Sequence, residues 1–113
     1  MGSRRGVKES ILRDVVYALI QLIPPGRVTT YSSIARVLGL SPRAVARILA
    51  SNRDLVVVPC HRVVGSGGEL RGYVLGVDFK RKLLELEGVK FDSKGRVRRE
   101  FIVDVCDMLG YCS

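Results

Sequence analysis

A helical pattern that stops at Gly39 and restarts at Pro42 constrains this chain more than any other feature. Residues from about Ser32 to Leu38 read as a short helix, entered near the capping residues Thr29 and Thr30 and closed by Gly39. Ser41 then offers an N-cap, and Pro42 takes the first helical position, where a missing N–H costs nothing, so the next helix runs to about Ala50. Two short helices joined across Gly39-Leu40 form a helix-turn-helix pattern. In the second of them Val45, Ile48 and Leu49 are spaced to pack inward, while Arg43, Ala46, Arg47 and Ala50 fall on the opposite side. That outer face is narrow, basic and lined with small residues, so it can lie close to a nucleic-acid backbone. A solvated amphipathic face is the plainer alternative.

The other elements are short. Apolar residues at Ile11, Val15, Val16, Ala18, Leu19 and Leu22 approximate helical spacing, and Pro24-Pro25-Gly26 ends that helix. Arg27-Val28-Thr29 reads as a short extended link, and Leu55 to Val58 as a strand. Lys80 to Glu87 reads as a helix stopped by Gly88, Val89 to Arg99 as a turn or hairpin, and the tail from Phe101 as helical in its early part. The expected class is therefore mixed α/β and mainly helical: a winged helix-turn-helix with short strand or hairpin elements, folded as one domain over 1–113.

Charge narrows the partners. The net charge is +8, and residues 26–71 alone carry +5, from seven arginines against Asp54 and Glu69. Guanidinium groups so concentrated neutralise phosphates and favour DNA. Arginine outnumbers lysine 14 to 5, and Asn52 and Gln21 are the only side-chain amides, so a basic thermophile surface is the competing explanation. No apolar run reaches transmembrane length, and Met1 to Gly6 has basic residues with no apolar segment behind them, so a membrane partner and a secretory signal are not expected. The expected location is cytoplasmic: with the nucleoid, or in the nucleus of a eukaryote.

Reactive chemistry concentrates in Pro59-Cys60-His61-Arg62-Val63-Val64, which sets the only histidine beside one of three cysteines. A cysteine attacks as thiolate, and an adjoining imidazole or positive charge favours that form. The plainer alternative is a buried, inert cysteine in an apolar strand. Cys106 and Cys112 could join Cys60 and His61 around zinc, but the spacing of the tail pair is not that of a ribbon or finger. A disulfide between the tail pair fits a hyperthermophile and is otherwise not expected in cytosol, so free structural thiols are the default expectation.

The order Cys-His-Arg after a proline, with Asn52 and Arg43 upstream of Cys60 and Leu83-Leu84 then Glu87-Gly88 downstream, resembles the active-site signature of the O6-alkylguanine-DNA alkyltransferases. The resemblance runs over about residues 12–88 and concerns the family's carboxy-terminal DNA-binding and catalytic domain, leaving 89–113 as an extension. It implies that Cys60 is the alkyl acceptor, that His61 is the base acting through a water, and that Glu87 orients His61. It makes Arg43 the finger that fills the duplex when the damaged guanine is extruded, Asn52 the brace of the turn before the active site, and Arg47, Asn52 and Arg62 further DNA-binding residues. It places Tyr31, Val63, Tyr73 and Val74 around the guanine, with Tyr31 also against the neighbouring phosphate and the Val74 backbone N–H toward O6. Leu75 stands where glycine is common, which leads us to expect a pocket narrowed toward small alkyl groups. No metal or organic cofactor is implied.

The implied function is repair by direct reversal: one irreversible transfer of an alkyl group, methyl above all, from guanine O6 to Cys60, reached from the minor groove of double-stranded DNA. A non-catalytic alkyltransferase-like lesion sensor is the alternative, and a helix-turn-helix transcription regulator a second one. The presence of Cys60 beside His61, with Glu87 in register, favours transfer. Full-length relatives carry an amino-terminal domain, so a separate or fused partner domain is one expectation and a monomer the other.

Overall fold

The structure, a computed structural model, describes residues 3–54, 57–73 and 75–110, with the backbone alone over 3–8. Helix α1 spans Ser3–Ile20, a longer helix than the apolar spacing from Ile11 indicated. Val16, Leu19 and Ile20 carry its buried face. Strand β1 (Thr29–Thr30) leads directly into α2 (Tyr31–Leu38), and Thr30 is the cap that acts, its Oγ1 accepting from the Ser33 N–H at 3.0 Å. Gly39 closes α2 at φ 68°, a left-handed conformation that glycine adopts without a Cβ clash. Helix α3 (Pro42–Ala50) begins as the sequence indicates, with Ser41 Oγ accepting from the Ala44 N–H at 3.1 Å.

The expected strand into the active site is not a strand where it is described. Val57 and Val58 lie in a turn, and Leu55 and Val56 fall outside the described residues. Asp54 is the reason: its carbonyl accepts from Val58 N at 2.9 Å, and its Oδ1 accepts from Val57 N at 3.1 Å. Local acceptors of this kind close a turn against the extended preference of a valine run. The strand forms after the cysteine instead. Cys60–Arg62 is one 3₁₀ turn, and β2 (Val63–Val64) pairs parallel with β1, Thr29 opposite Val63 and Thr30 opposite Val64.

Alternation along β2 divides the interior. Val63 joins a core with Val16, Ile20, Ile34, Val45, Leu49 and Val105, whereas Val64 turns to a second cluster with Val28, Leu84, Val89 and Val97. Helix α4 (Val77–Leu86) lays Leu84 into that second cluster. Phe91 and Val97 then bridge antiparallel, the expected hairpin, around Asp92, whose Oδ1 accepts from Lys94 N and Arg96 N. Gly68 sits against this hairpin so closely that a Cβ there would lie 2.5 Å from the Val97 carbonyl oxygen.

The segment after Gly88 is woven into the fold. Val28 N donates to Phe101 O at 2.8 Å, Val103 N to Val28 O at 2.7 Å, and Thr29 Oγ1 to Val103 O at 2.7 Å. Helix α5 (Val105–Leu109) starts at the N-cap Asp104, which also pairs with Arg36 on α2, and its Val105 N donates to Ser33 Oγ. Cys106, expected as a free thiol, is disulfide-bonded, while Cys112 lies outside the described residues. Among the described residues no helix is long and apolar enough to cross a membrane.

Candidate active site

Asn52 organises the approach to Cys60. Fully buried at the end of α3, it accepts from Asp54 N through Oδ1 and donates through Nδ2 to Val58 O at 3.0 Å and to Cys60 Sγ at 3.3 Å. One amide thereby closes the turn and addresses the sulfur, because an amide carries both an acceptor and two donors. Cys60 is a free thiol, 7% exposed, at the wall of a cavity of about 650 Å³. Tyr31 and Ser32 on α2, Arg43 and Ala46 on α3, and Arg71 and Tyr73 on the glycine-rich loop supply the other walls.

Behind Cys60 runs a chain of charge. His61 Nε2 lies 3.0 Å from Glu87 Oε2, while Arg62 donates from Nε to Glu87 Oε1 at 3.0 Å and from Nη2 to Oε2 at 2.6 Å. The third Arg62 nitrogen donates to the Ile23 carbonyl at 2.9 Å, tying the group to the turn after α1. Burial opposes ionisation of Glu87, but the donors from Arg62 and His61 outweigh it and hold the carboxyl below its ordinary range. An ionised carboxylate only accepts, so His61 Nε2 is the protonated nitrogen and Nδ1 carries the lone pair. Nδ1 is buried and has no hydrogen-bond partner among the described residues. Burial also pushes His61 down, with Arg62 and Lys80 acting in the same direction against Glu87, so the ring is neutral at pH 7. A neutral imidazole with one free lone pair, held by an ionised carboxylate, has the arrangement from which a proton can be accepted.

Residues 12–89 match the family model described as the 6-O-methylguanine DNA methyltransferase, DNA binding domain. The chain belongs to this family. The mainly helical fold with its short parallel sheet is that of the family, and the winged helix-turn-helix description is consistent with it. A methylated-DNA-protein-cysteine methyltransferase of Saccharolobus islandicus (strain L.S.2.15 / Lassen #1) is 52% identical over 75 residues, 66% of this chain and 49% of that protein. One of Metallosphaera sedula is 52% identical over 73 residues, 65% of this chain and 46% of that protein. The chain thus spans about half the length of the curated relatives it matches. Among solved structures, O6-methylguanine-DNA methyltransferase of Pyrococcus kodakaraensis is similar at TM-score 0.63 and 40% identity, covering 68% of this chain and 46% of that one. S. pombe Atl1, in complex with damaged DNA containing O6-carboxymethylguanine, is similar at TM-score 0.69 and 30% identity, covering 83% of this chain and 95% of that one.

Of the family positions named from the sequence, the cavity gathers Tyr31, Arg43, Cys60 and Tyr73, with Tyr73 also edge-on to His61. Arg47 lies one step along α3, on a separate depression of about 450 Å³ shared with Arg13. Four positions differ from expectation in whole or in part. Arg62, expected at the DNA, turns inward, because its guanidinium is taken up by Glu87 and Ile23. Asn52, also named for DNA, is enclosed behind Cys60, where it braces the turn as its other expected role has it. Val63, expected at the guanine, is fully buried in the core, since the pleat of β2 points it away from the cavity. Leu75 is half exposed and does not line the cavity, so the expected narrowing has no basis there. Val74 lies outside the described residues. Sequence reasoning passed over Lys80, which is completely buried beside the site. Its one signal is register: Lys80 precedes the buried Leu84 by one helical turn and shares its face.

Proposed function

We propose that the protein repairs alkylated DNA by moving an alkyl group from guanine O6 in a duplex to Cys60. The observation that carries this reading is a cavity-wall cysteine backed by the His61–Glu87–Arg62 chain. In the proposed step His61 Nδ1 takes the thiol proton through a water, and Cys60 Sγ bonds to the alkyl carbon as the carbon–O6 bond breaks. The bonding electron pair stays on the purine, which recovers the proton, and a thioether remains. A fixed sulfur cannot reach a stacked base, so the guanine is extruded at a cost of a few kcal/mol. Arg43, at the start of the exposed face of α3, is the side chain proposed to enter the stack from the minor groove. Tyr31 and Tyr73 are proposed as the walls around the base.

No cofactor enters the step, and each protein molecule reacts once. Residues 1–113 are proposed to act as one module, in whichever compartment holds the DNA. A second reading, lesion binding without transfer, has one observation in its favour: the similarity to Atl1 extends over 95% of that chain. A regulator that merely binds DNA leaves the Cys60–His61–Glu87 arrangement without a purpose.

Intact-protein mass spectrometry after incubation with duplex DNA holding one O6-methylguanine tests the proposal. A gain of one methylene mass mapped to Cys60, absent in Cys60→Ser, is the expected result. Tight lesion binding with no mass gain would establish the sensor reading instead.

A further inference from the structure

Two arginines, Arg43 and Arg71, line the cavity at Cys60, and among the described residues no carboxylate does. Arg43 is the side chain proposed to enter the base stack, which leaves Arg71 as the cation facing whatever the extruded base brings in. Arg71 belongs to the rim loop, whose shape is set by short bonds: Gly65 N donates to Glu69 O, Gly68 N to Gly65 O, and Val97 N of the hairpin to Gly68 O, each at 2.9 Å. Gly65 is buried at the cavity wall, and its missing side chain leaves room for the guanidinium, since a Cβ there would stand 3.0 Å from Arg71 Nε. The acidic partner of Arg71 holds it weakly. Arg71 Nη2 lies 3.7 Å from Glu69 Oε2, beyond hydrogen-bond range, in a pair whose side chains are 63% and 39% exposed. Glu69 Oε1 is committed elsewhere, accepting from Gly67 N at 2.6 Å. Arg71 is therefore able to exchange Glu69 for another anion at little cost. The cavity has the volume for one: about 650 Å³ lies within the roughly 300–1,000 Å³ of sites that enclose a whole drug-sized ligand, and Leu75 does not narrow it.

We propose that Arg71 is a specificity-determining residue that draws O6 substituents ending in a carboxylate to Cys60, carboxymethyl being the smallest. The inference rests on the transfer reading of Cys60. A thiolate approaching the carbon next to a carboxylate meets a like charge, and a guanidinium at the same wall offsets that repulsion. In the step Cys60 Sγ bonds to the methylene carbon, and the carbon–O6 bond breaks with its electron pair left on the purine. The carboxylate stays on the transferred group, paired with the two-pronged face of Arg71 in place of Glu69. A methyl group offers Arg71 no charge to pair with. The residue thus sets a ratio of rates between acidic and neutral substituents.

Single-turnover transfer from duplexes holding O6-carboxymethylguanine or O6-methylguanine, followed by intact mass, gives that ratio. Arg71→Gln is expected to lower it about tenfold and Arg71→Lys to restore part of the loss. Glu69→Gln keeps an acceptor for Gly67 N but gives up the competing charge, so it is expected to raise the ratio about threefold, which a merely structural disturbance of the loop would not do. An equal ratio in wild type and Arg71→Gln would overturn the proposal, as would a Glu69→Gln ratio no higher than wild type. Two rates that fall together in Arg71→Gln would also overturn it and place Arg71 on the DNA backbone. A wild type that gains mass from neither lesion marks a failure of the transfer reading, and reagents without DNA then decide. Iodoacetate and iodoacetamide attach carboxymethyl and its neutral amide counterpart to Cys60 with loss of iodide, and peptide mapping follows both. Arg71→Gln is expected to lower the iodoacetate-to-iodoacetamide rate ratio about threefold. An unchanged ratio there would sink the proposal.

Discussion

Glu87 accepts three hydrogen bonds from two neighbours, and each would lose something different with its charge. Glu87→Gln leaves His61 without the acceptor that fixes its tautomer and Arg62 with an uncompensated charge. Single-turnover transfer followed by mass gain is expected to slow by about 10²-fold or more. Glu85, one turn after Arg81 and paired with it at the surface, is the control, and Glu85→Gln should transfer at the wild-type rate. Proton linkage acts in the same direction for Lys80 and His61, in different pH windows. Between about 8 and 10.5 the unfolded chain holds a Lys80 proton that the folded protein has released, so stability rises with pH across that window. The rise amounts to roughly 3 kcal/mol and should vanish in urea melts of Lys80→Met. His61, lowered from 6.5, contributes stability that is present above that value and is lost as pH falls below it. Cys60, His61 and Glu87 were legible because a reactive pair and a glutamate one residue before a helix-stopping glycine stand at recognisable spacing. Arg62 and Lys80 were not, since the sequence shows a charge but not which side of the fold it turns toward.

Elements differ in how openly their causes are written. Helices α2 and α3 announced themselves because caps act locally: Thr30, Gly39, Ser41 and Pro42 each do their work within one turn of chain. Ser41→Ala is therefore expected to cost about 1 kcal/mol in denaturant unfolding, with the fold retained. A loss well below that would mean that Pro42 and tertiary packing alone set the start of α3. The run from Leu55 to Val58 misled in its described part because valines speak for a strand, whereas the outcome is decided by Asp54 and Asn52 acting as local acceptors. Gly68 is written in the sequence only as one glycine among several in a loop. In the fold it combines φ 87° with the close Val97 carbonyl, so Gly68→Ala should destabilise by more than Ser41→Ala and loosen the hairpin. Thermal melts of the two variants side by side check that order.

At the scale of the molecule, the central charge is smaller in effect than in count. Of seven arginines between residues 26 and 71, Arg36, Arg62 and Arg71 pair with carboxylates, and Arg27 lies over the Phe101 ring. Arg43, Arg47 and Arg53 are exposed and have no acidic partner among the described residues. Each phosphate neutralised contributes about −0.9 to the slope of log affinity against log salt, so a slope of roughly −3 is expected on undamaged duplex. Arg47→Ala should make it shallower by about one unit without changing preference for the lesion, as fluorescence anisotropy at several salt concentrations would show. A slope near −6 would mean that the paired arginines reach the DNA after all. The helix-turn-helix and its basic face could be foreseen, but the place of the tail could not, because its bonds join residues some seventy positions apart and no local pattern records them.

Those long-distance bonds also set a schedule. Val28 and Thr29 beside the active-site strand, and Ser33 on α2, take their partners from residues 101–105. A ribosome synthesises from the amino end, so the nucleophile and its base are made well before the segment that braces them. On the nascent chain Cys60 therefore stands in an unfinished wall until residues 101–105 have been made.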